Sequence, residues 1–135
     1  MERRYGGRNS EHHVSLGTNN FAAATVFYDK VLATIGAKRI FDFPGAVAYG
    51  KQFPAYWVQK PADGQSADTA NGVHFCFIAS SKEAVNAFYS AAIEAGGKDD
   101  GEPGPRPDYG PDYYGAFVRD LDGHKIETAV VTSAS

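Results

Sequence analysis

The chain repeats itself. His13-Val14-Ser15-Leu16 recurs 61 residues later as His74-Phe75-Cys76-Phe77. At the same spacing Ala24 meets Val85, Phe27 meets Phe88, Tyr28 meets Tyr89, Val31 meets Ala92 and Leu32 meets Ile93. Two aromatic pairs kept at one offset indicate structural self-similarity, which restricts the fold more than any single motif does. The chain has 135 residues, the size of one ordinary domain, so both copies must share it.

Each copy reads alike. A short segment alternates apolar with polar or small residues, His13 to Gly17 and then Val73 to Ala79, as a half-buried strand does. A helix follows. Asn19 or Asn20 is suited to cap the first, and Ser80 with Glu83 has the spacing of a capping box for the second. Ala24, Phe27, Tyr28, Val31, Leu32 and Ile35 recur at steps of three and four, as do Val85, Phe88, Tyr89, Ala92 and Ile93, so each helix has one apolar face. Gly36 and Gly96-Gly97 are placed to end the two helices.

Strands are expected next at Lys38 to Phe43, Ala46 to Lys51 and Ala55 to Gln59, with a turn at Pro44-Gly45. In the second copy Lys98 to Pro111 is rich in Gly, Pro and Asp and reads as a loop. Ala116 to Asp120 and Lys125 to Val131 form a hairpin turning at Asp122-Gly123. Setting Ala116-Phe117-Val118 over Ala46-Val47-Ala48 raises the offset to 70 and places Glu127 over Trp57. The reading is an α+β fold of two tandem β-α-β-β-β modules. Module one covers 11–62, a polar linker 63–71 and module two 72–130, with tails at 1–10 and 131–135. Each helix covers one sheet face. The opposite, concave face must meet the other module, a partner chain or a ligand.

Composition excludes several classes. Hydrophobic residues make up 43% and charged residues 21%, which is enough for a packed core. A net charge of -3 argues against a dedicated nucleic-acid binder. The single cysteine, Cys76, precludes an internal disulfide framework and suits a reducing, cytoplasmic setting. No apolar run has the length of a membrane span, and the first ten residues lack the apolar segment of a secretory signal. Phosphate-binding loops, dinucleotide fingerprints, serine elbows and cysteine zinc patterns are missing.

The order of these elements resembles the glyoxalase / bleomycin-resistance / extradiol-dioxygenase superfamily. The resemblance rests on His13-Val14-Ser15-Leu16, Phe27-Tyr28 with Leu32 and Gly36, Gly72-Val73-His74, Phe88-Tyr89 with Gly96-Gly97, and Phe117 to Asp120 through Asp122 to Glu127. It implies a glyoxalase-like half-barrel cavity. It also implies a divalent ion (Fe, Zn, Mn or Ni) held by His13, His74 and Glu127. Two imidazoles and a carboxylate form a set that leaves metal positions open for a substrate with vicinal oxygens. The fourth ligand position of the metal-dependent members falls on Trp57, whose indole has no lone pair to give. Gln59, two residues on, has the nearest candidate oxygen. The implied activity is a lyase or isomerase of the lactoylglutathione-lyase kind, with Glu127 or a metal-bound water as proton shuttle, or a ring-cleaving oxygenase. The alternative is a metal-free protein that sequesters an aromatic small molecule, as bleomycin-resistance proteins do. A homodimer is implied with either, without nucleic-acid or membrane partners.

Strand parity places Cys76 beside His74 and Ser15 beside His13. Trp57, Gln59, Cys76, Tyr49, Tyr113 and Tyr114 are the expected pocket residues, with the loop from Asp99 to Tyr114 as a lid. Cys76 reads as a small buried hydrophobe. Arg39 and Arg119 have two readings: holders of a substrate anion, or surface partners of Asp42 and Asp120. Parity turns His12 away from His13, and His124 away from Glu127.

Overall fold

The computed structural model describes residues 12–131. The two expected tails fall outside this range, apart from Val131, which ends the last strand. Among the described residues the order is β1 (Val14–Gly17), α1 (Phe21–Ala33), β2 (Lys38–Phe43), β3 (Ala46–Gly50), β4 (Tyr56–Gln59), β5 (His74–Ile78), α2 (Lys82–Glu94), β6 (Lys98–Asp99), β7 (Gly104–Pro105), β8 (Tyr113–Arg119) and β9 (Lys125–Val131). The first sheet runs β1-β4-β3-β2, and the second β5-β9-β8-β6 with β7 also on β8. In each, the first strand pairs parallel with the last and the rest are antiparallel. The tandem β-α-β-β-β architecture is therefore present.

The helices start where side chains can accept from their free N–H groups. Asn20 caps α1 through its side-chain oxygen, which accepts from Ala23 N at 3.1 Å. The second cap departs from expectation. Ser81 rather than Ser80 accepts from Ala84 N, at 3.0 Å. The residue three beyond Ser81 is an alanine, so no reciprocal box forms. Glu83 instead lies in the first turn, where a carboxylate favours the helix dipole.

The loop from Lys98 to Pro111 is more ordered than its composition indicates. Its β6 and β7 both pair with β8. The repeat also carries a one-residue correction. Ser15 pairs with Trp57, and Cys76 with Glu127, so the outer offsets of 61 and 70 hold. Ala48 faces Trp57, however, whereas Phe117 faces Glu127, which makes the offset 69 at that strand. The path from Phe117 to its partner Glu127 is one residue longer than that from Ala48 to Trp57. Aligning Ala48 with Val118 would have put a residue of the open face over one of the helix face.

Both helices pack into a common core. Phe27, Tyr28, Val31 and Leu32 of α1 join Phe88 and Ala92 of α2, with Val47, Val58, Val118 and Ile126 from the sheets. Each of the larger side chains stabilises the fold by roughly 1.5–3 kcal/mol through burial. Polar links join the modules as well. Tyr56 donates to the Tyr28 hydroxyl at 2.9 Å, and Tyr28 donates to Asp120 Oδ2 at 2.6 Å. Asp120 Oδ1 accepts from the backbone of Asp122 and His124, tightening the β8–β9 turn, where Gly123 supplies a φ of 92°. From that turn Asp122 accepts from Asn19 N, and the His124 ring meets the Gly17 carbonyl at 2.8 Å. His124 is thus a module-joining residue, turned from Glu127 as parity indicated.

Candidate functional site

Strand pairing gives each sheet an open face opposite its helix. On the first sheet Ser15, Trp57, Ala48 and Phe41 form one row. On the second, Cys76, Glu127 and Phe117 form the equivalent row. The rows differ in chemistry. Phe41 lies 6.0 Å from Trp57 and 5.7 Å from Phe43, ring centre to ring centre, and His13 sits edge-on to Trp57 at 6.3 Å. This is an aromatic surface.

The second face is built around a buried carboxylate. The Glu127 side chain is 4% exposed, while the His74 side chain above it is 42% exposed. His74 Nε2 lies 3.1 Å from Glu127 Oε1. Tyr113 donates to Glu127 Oε2 at 2.5 Å. Both carboxylate oxygens are therefore engaged by groups of the same chain. Burial and the neighbouring carboxylate push the Tyr113 hydroxyl well above the usual phenol range. Cys76 stands next to Glu127 in the row and is exposed, which corrects its reading as a buried hydrophobe. Desolvation on the sheet face, reinforced by the Glu127 charge, pushes its thiol up to about 12. A thiol so disfavoured as thiolate is no nucleophile at neutral pH.

The other expected site residues are dispersed. Gln59 lies on the aromatic sheet, opposite Ala46. Tyr114 alternates away from Tyr113 onto the helix side, where its hydroxyl donates to Asn86 at 2.8 Å and Lys82 lies over its ring. Tyr49 is buried beneath α1, with its hydroxyl on the Thr25 carbonyl and Asp29. Its ring also borders, with Tyr56, Cys76 and Phe77, a cleft of about 290 Å³ where the two sheets meet. The loop from Asp99 to Tyr114 anchors the site rather than arching over it: Arg106 N donates to the Tyr113 carbonyl, and the Tyr109 and Tyr113 rings touch edge to face.

The expected metal ligands are only partly assembled. His74 and Glu127 adjoin, but His13 lies against Trp57 on the other sheet. Among the described residues no group of three His, Cys, Asp or Glu side chains is placed to hold a metal ion. One chain therefore offers a pair of ligands, with both carboxylate oxygens already bonded, and does not fit the three-ligand centre on its own. No described helix is long and apolar enough to cross a membrane.

Comparison with known proteins agrees with this architecture. The family model described as Glyoxalase/Bleomycin resistance protein/Dioxygenase superfamily matches residues 11–128. A glyoxalase/bleomycin resistance protein from Albidiferax ferrireducens is 34% identical, with a TM-score of 0.80 over 88% of this chain and 97% of that one. Two more distant structures share the fold. A glyoxalase-related enzyme from Fulvimarina pelagi is 20% identical, with a TM-score of 0.69 over 88% of this chain and 86% of its own. A lactoylglutathione lyase from Agrobacterium tumefaciens is 21% identical, with a TM-score of 0.60 over 88% and 91%. No curated protein matches the chain.

Proposed function

Since this chain belongs to the glyoxalase/bleomycin resistance/dioxygenase superfamily, we propose that it catalyses proton transfer on a small molecule bound to the open face of its second sheet. The observation that carries this reading is the His74–Glu127 pair, in which an exposed imidazole is held at 3.1 Å by a buried carboxylate. His74 is the group that meets substrate. Glu127 fixes the ring's orientation through the 3.1 Å contact with Nε2. Tyr113 fixes Glu127 in turn. Glu127, expected to act directly as the shuttle, is here the partner of the shuttle. This favours the isomerase or lyase branch of the implied chemistry, in which a proton leaves a carbon next to a carbonyl and returns elsewhere. The aromatic row around Trp57 supplies a surface for an apolar part of the ligand.

The test is isomerisation of the methylglyoxal–glutathione hemithioacetal, with solvent-deuterium exchange into simple α-hydroxy ketones. Both are followed in the parent chain, His74→Ala and Glu127→Gln, alongside elemental analysis. Turnover or exchange that falls by about 10² or more in His74→Ala supports the reading. Activity unchanged in His74→Ala overturns it. About one divalent ion per chain, lost in His74→Ala, replaces it with a metal centre that draws His13 in, as a second copy of the chain in a homodimer would allow. Saturable binding of aromatic ligands without turnover replaces it with sequestration.

A further inference from the structure

The two arginines singled out as anion holders are already occupied. Arg39 is clamped by Asp29, at 2.8 Å from both of its bonding nitrogens, and by Asp42 at 3.0 Å. Arg119 pairs with Asp100 at 3.0 Å, not with Asp120, whose carboxylate is taken by Tyr28. Two other cations are placed differently. Arg106 Cζ lies 5.6 Å from the centre of the Phe117 ring, Lys125 Nζ lies 4.9 Å from it, and the His74 ring lies 5.8 Å from it. Phe117 is the cross-strand neighbour of Glu127 and Lys125 that of His74, so both cations stand beside the proton-transferring pair.

These charges are poorly compensated. Arg106 Nη1 donates to the carbonyls of Gly104 and Pro105, at 3.0 and 3.3 Å, and Nη2 donates to that of Glu102 at 2.8 Å. These bonds use three of the five guanidinium N–H groups. Nε–H and one Nη2–H have no protein partner among the described residues. The carbonyls hold the group in place without neutralising it. Lys125 reaches Asp100 only at 3.7 Å, and that carboxylate is already bonded to Arg119. The loop wraps tightly to achieve this. Gly101 has a φ of 149°, and a Cβ there would come within 3.1 Å of the Phe117 ring and 3.2 Å of Arg106 Nη2. In a chain with a net charge of -3, two under-compensated cations on one ring beside a reacting pair are a specific arrangement.

We infer that Arg106 and Lys125 form the binding site for an oxyanion, carboxylate or phosphate, carried by the substrate. The inference rests on the reading of His74 and Glu127 as the reacting pair and names the class of molecule brought to it. The guanidinium presents its remaining N–H groups to the oxyanion as charge-assisted donors. Lys125 adds a point charge from the strand side. The anion fixes the substrate with its reacting carbon over His74.

The test is a titration of the full chain, followed by backbone amide shifts, with inorganic phosphate in one arm and propionate in the other. Saturable shifts at Arg106, Phe117 and Lys125 are expected, weakened about tenfold or more in Lys125→Met and Arg106→Ala and less in Arg106→Lys. Saturation by phosphate alone or propionate alone supports the site and names the source of the oxyanion, and saturation by both supports the shared chemistry. Glu127→Gln removes a nearby negative charge and is expected to tighten anion binding while abolishing turnover, so failure of the catalytic reading is distinguishable from failure of this one. Absence of saturation in both arms overturns the site, as do saturable shifts unaltered in Lys125→Met. Lys125 lies partly exposed on β9 and meets the loop that Arg106 stabilises only through the 3.7 Å pair with Asp100, so that variant tests the site with little disturbance of the loop.

Discussion

The Tyr28 hydroxyl donates to Asp120 at 2.6 Å, and the two residues belong to different modules. Both are buried, and Tyr56 donates to Tyr28 in turn. Tyr28→Phe leaves an oxygen of Asp120 without its donor and Tyr56 without its acceptor. The expected cost is about 1–3 kcal/mol, measured by urea unfolding. A change within a few tenths of a kcal/mol would show that the link between modules is structurally idle.

The same network predicts alkaline lability. Burial raises the Tyr28 and Tyr56 hydroxyls well above their ordinary value of 10.0, and burial with Asp29 raises Tyr49. A group whose folded pKa exceeds its unfolded one contributes stability in full below the unfolded value. That contribution is lost as pH rises through the folded value. Urea midpoints attributable to these tyrosines are therefore level up to about pH 9 and fall beyond about pH 10. A midpoint still level at about pH 11 would count against their burial.

Cys76 is exposed, yet its thiol is pushed up to about 12. Alkylation by iodoacetamide at about pH 8 is expected to run roughly 10²–10³ slower than that of an unperturbed thiol, because so little thiolate is present. Glu127→Gln removes the neighbouring charge and accelerates it. A wild-type rate equal to that of free cysteine would contradict the environment described for this row.

Tyr113→Phe removes a donor from a buried carboxylate. Stability is expected to fall by about 1–2 kcal/mol, a reduced figure because Tyr113 is itself partly exposed. Turnover is expected to fall as Glu127 loses its fixed position, while oxyanion affinity at Arg106 and Lys125 is retained. Parallel loss of turnover and anion binding would mean that Tyr113 holds the loop rather than the carboxylate.

Much of this is legible in the sequence. The repeat placed Trp57 and Glu127 at equivalent positions, and strand pairing puts them in equivalent rows. The helix faces followed from three-and-four spacing. Other features left no local trace. Ala46-Val47-Ala48 and Ala116-Phe117-Val118 are both short apolar runs, so a one-residue slip between them changes nothing in composition and every side-chain direction. Tyr113 and Tyr114 are adjacent and chemically identical, and the start of β8 alone decides which one meets Glu127. Whether His13 joins His74 depends on how two sheets meet, which no short segment encodes. Arg106 was hidden in a run of prolines and glycines, where its role emerges from the carbonyls that surround it.

The matched rows have a consequence for how such a molecule can be altered. Ser15 with Trp57 and Cys76 with Glu127 occupy the same backbone frame, yet one half carries rings and the other an acid with its donors. The halves touch through helices, one turn and the rings of Tyr56, Phe75 and Phe77 rather than through these rows. Under the proposed function, substitutions on the aromatic face would retune which apolar group is held without disturbing the proton chemistry of the other face. Under that reading the two copies divide the labour, one meeting the apolar part of the ligand and the other moving the proton.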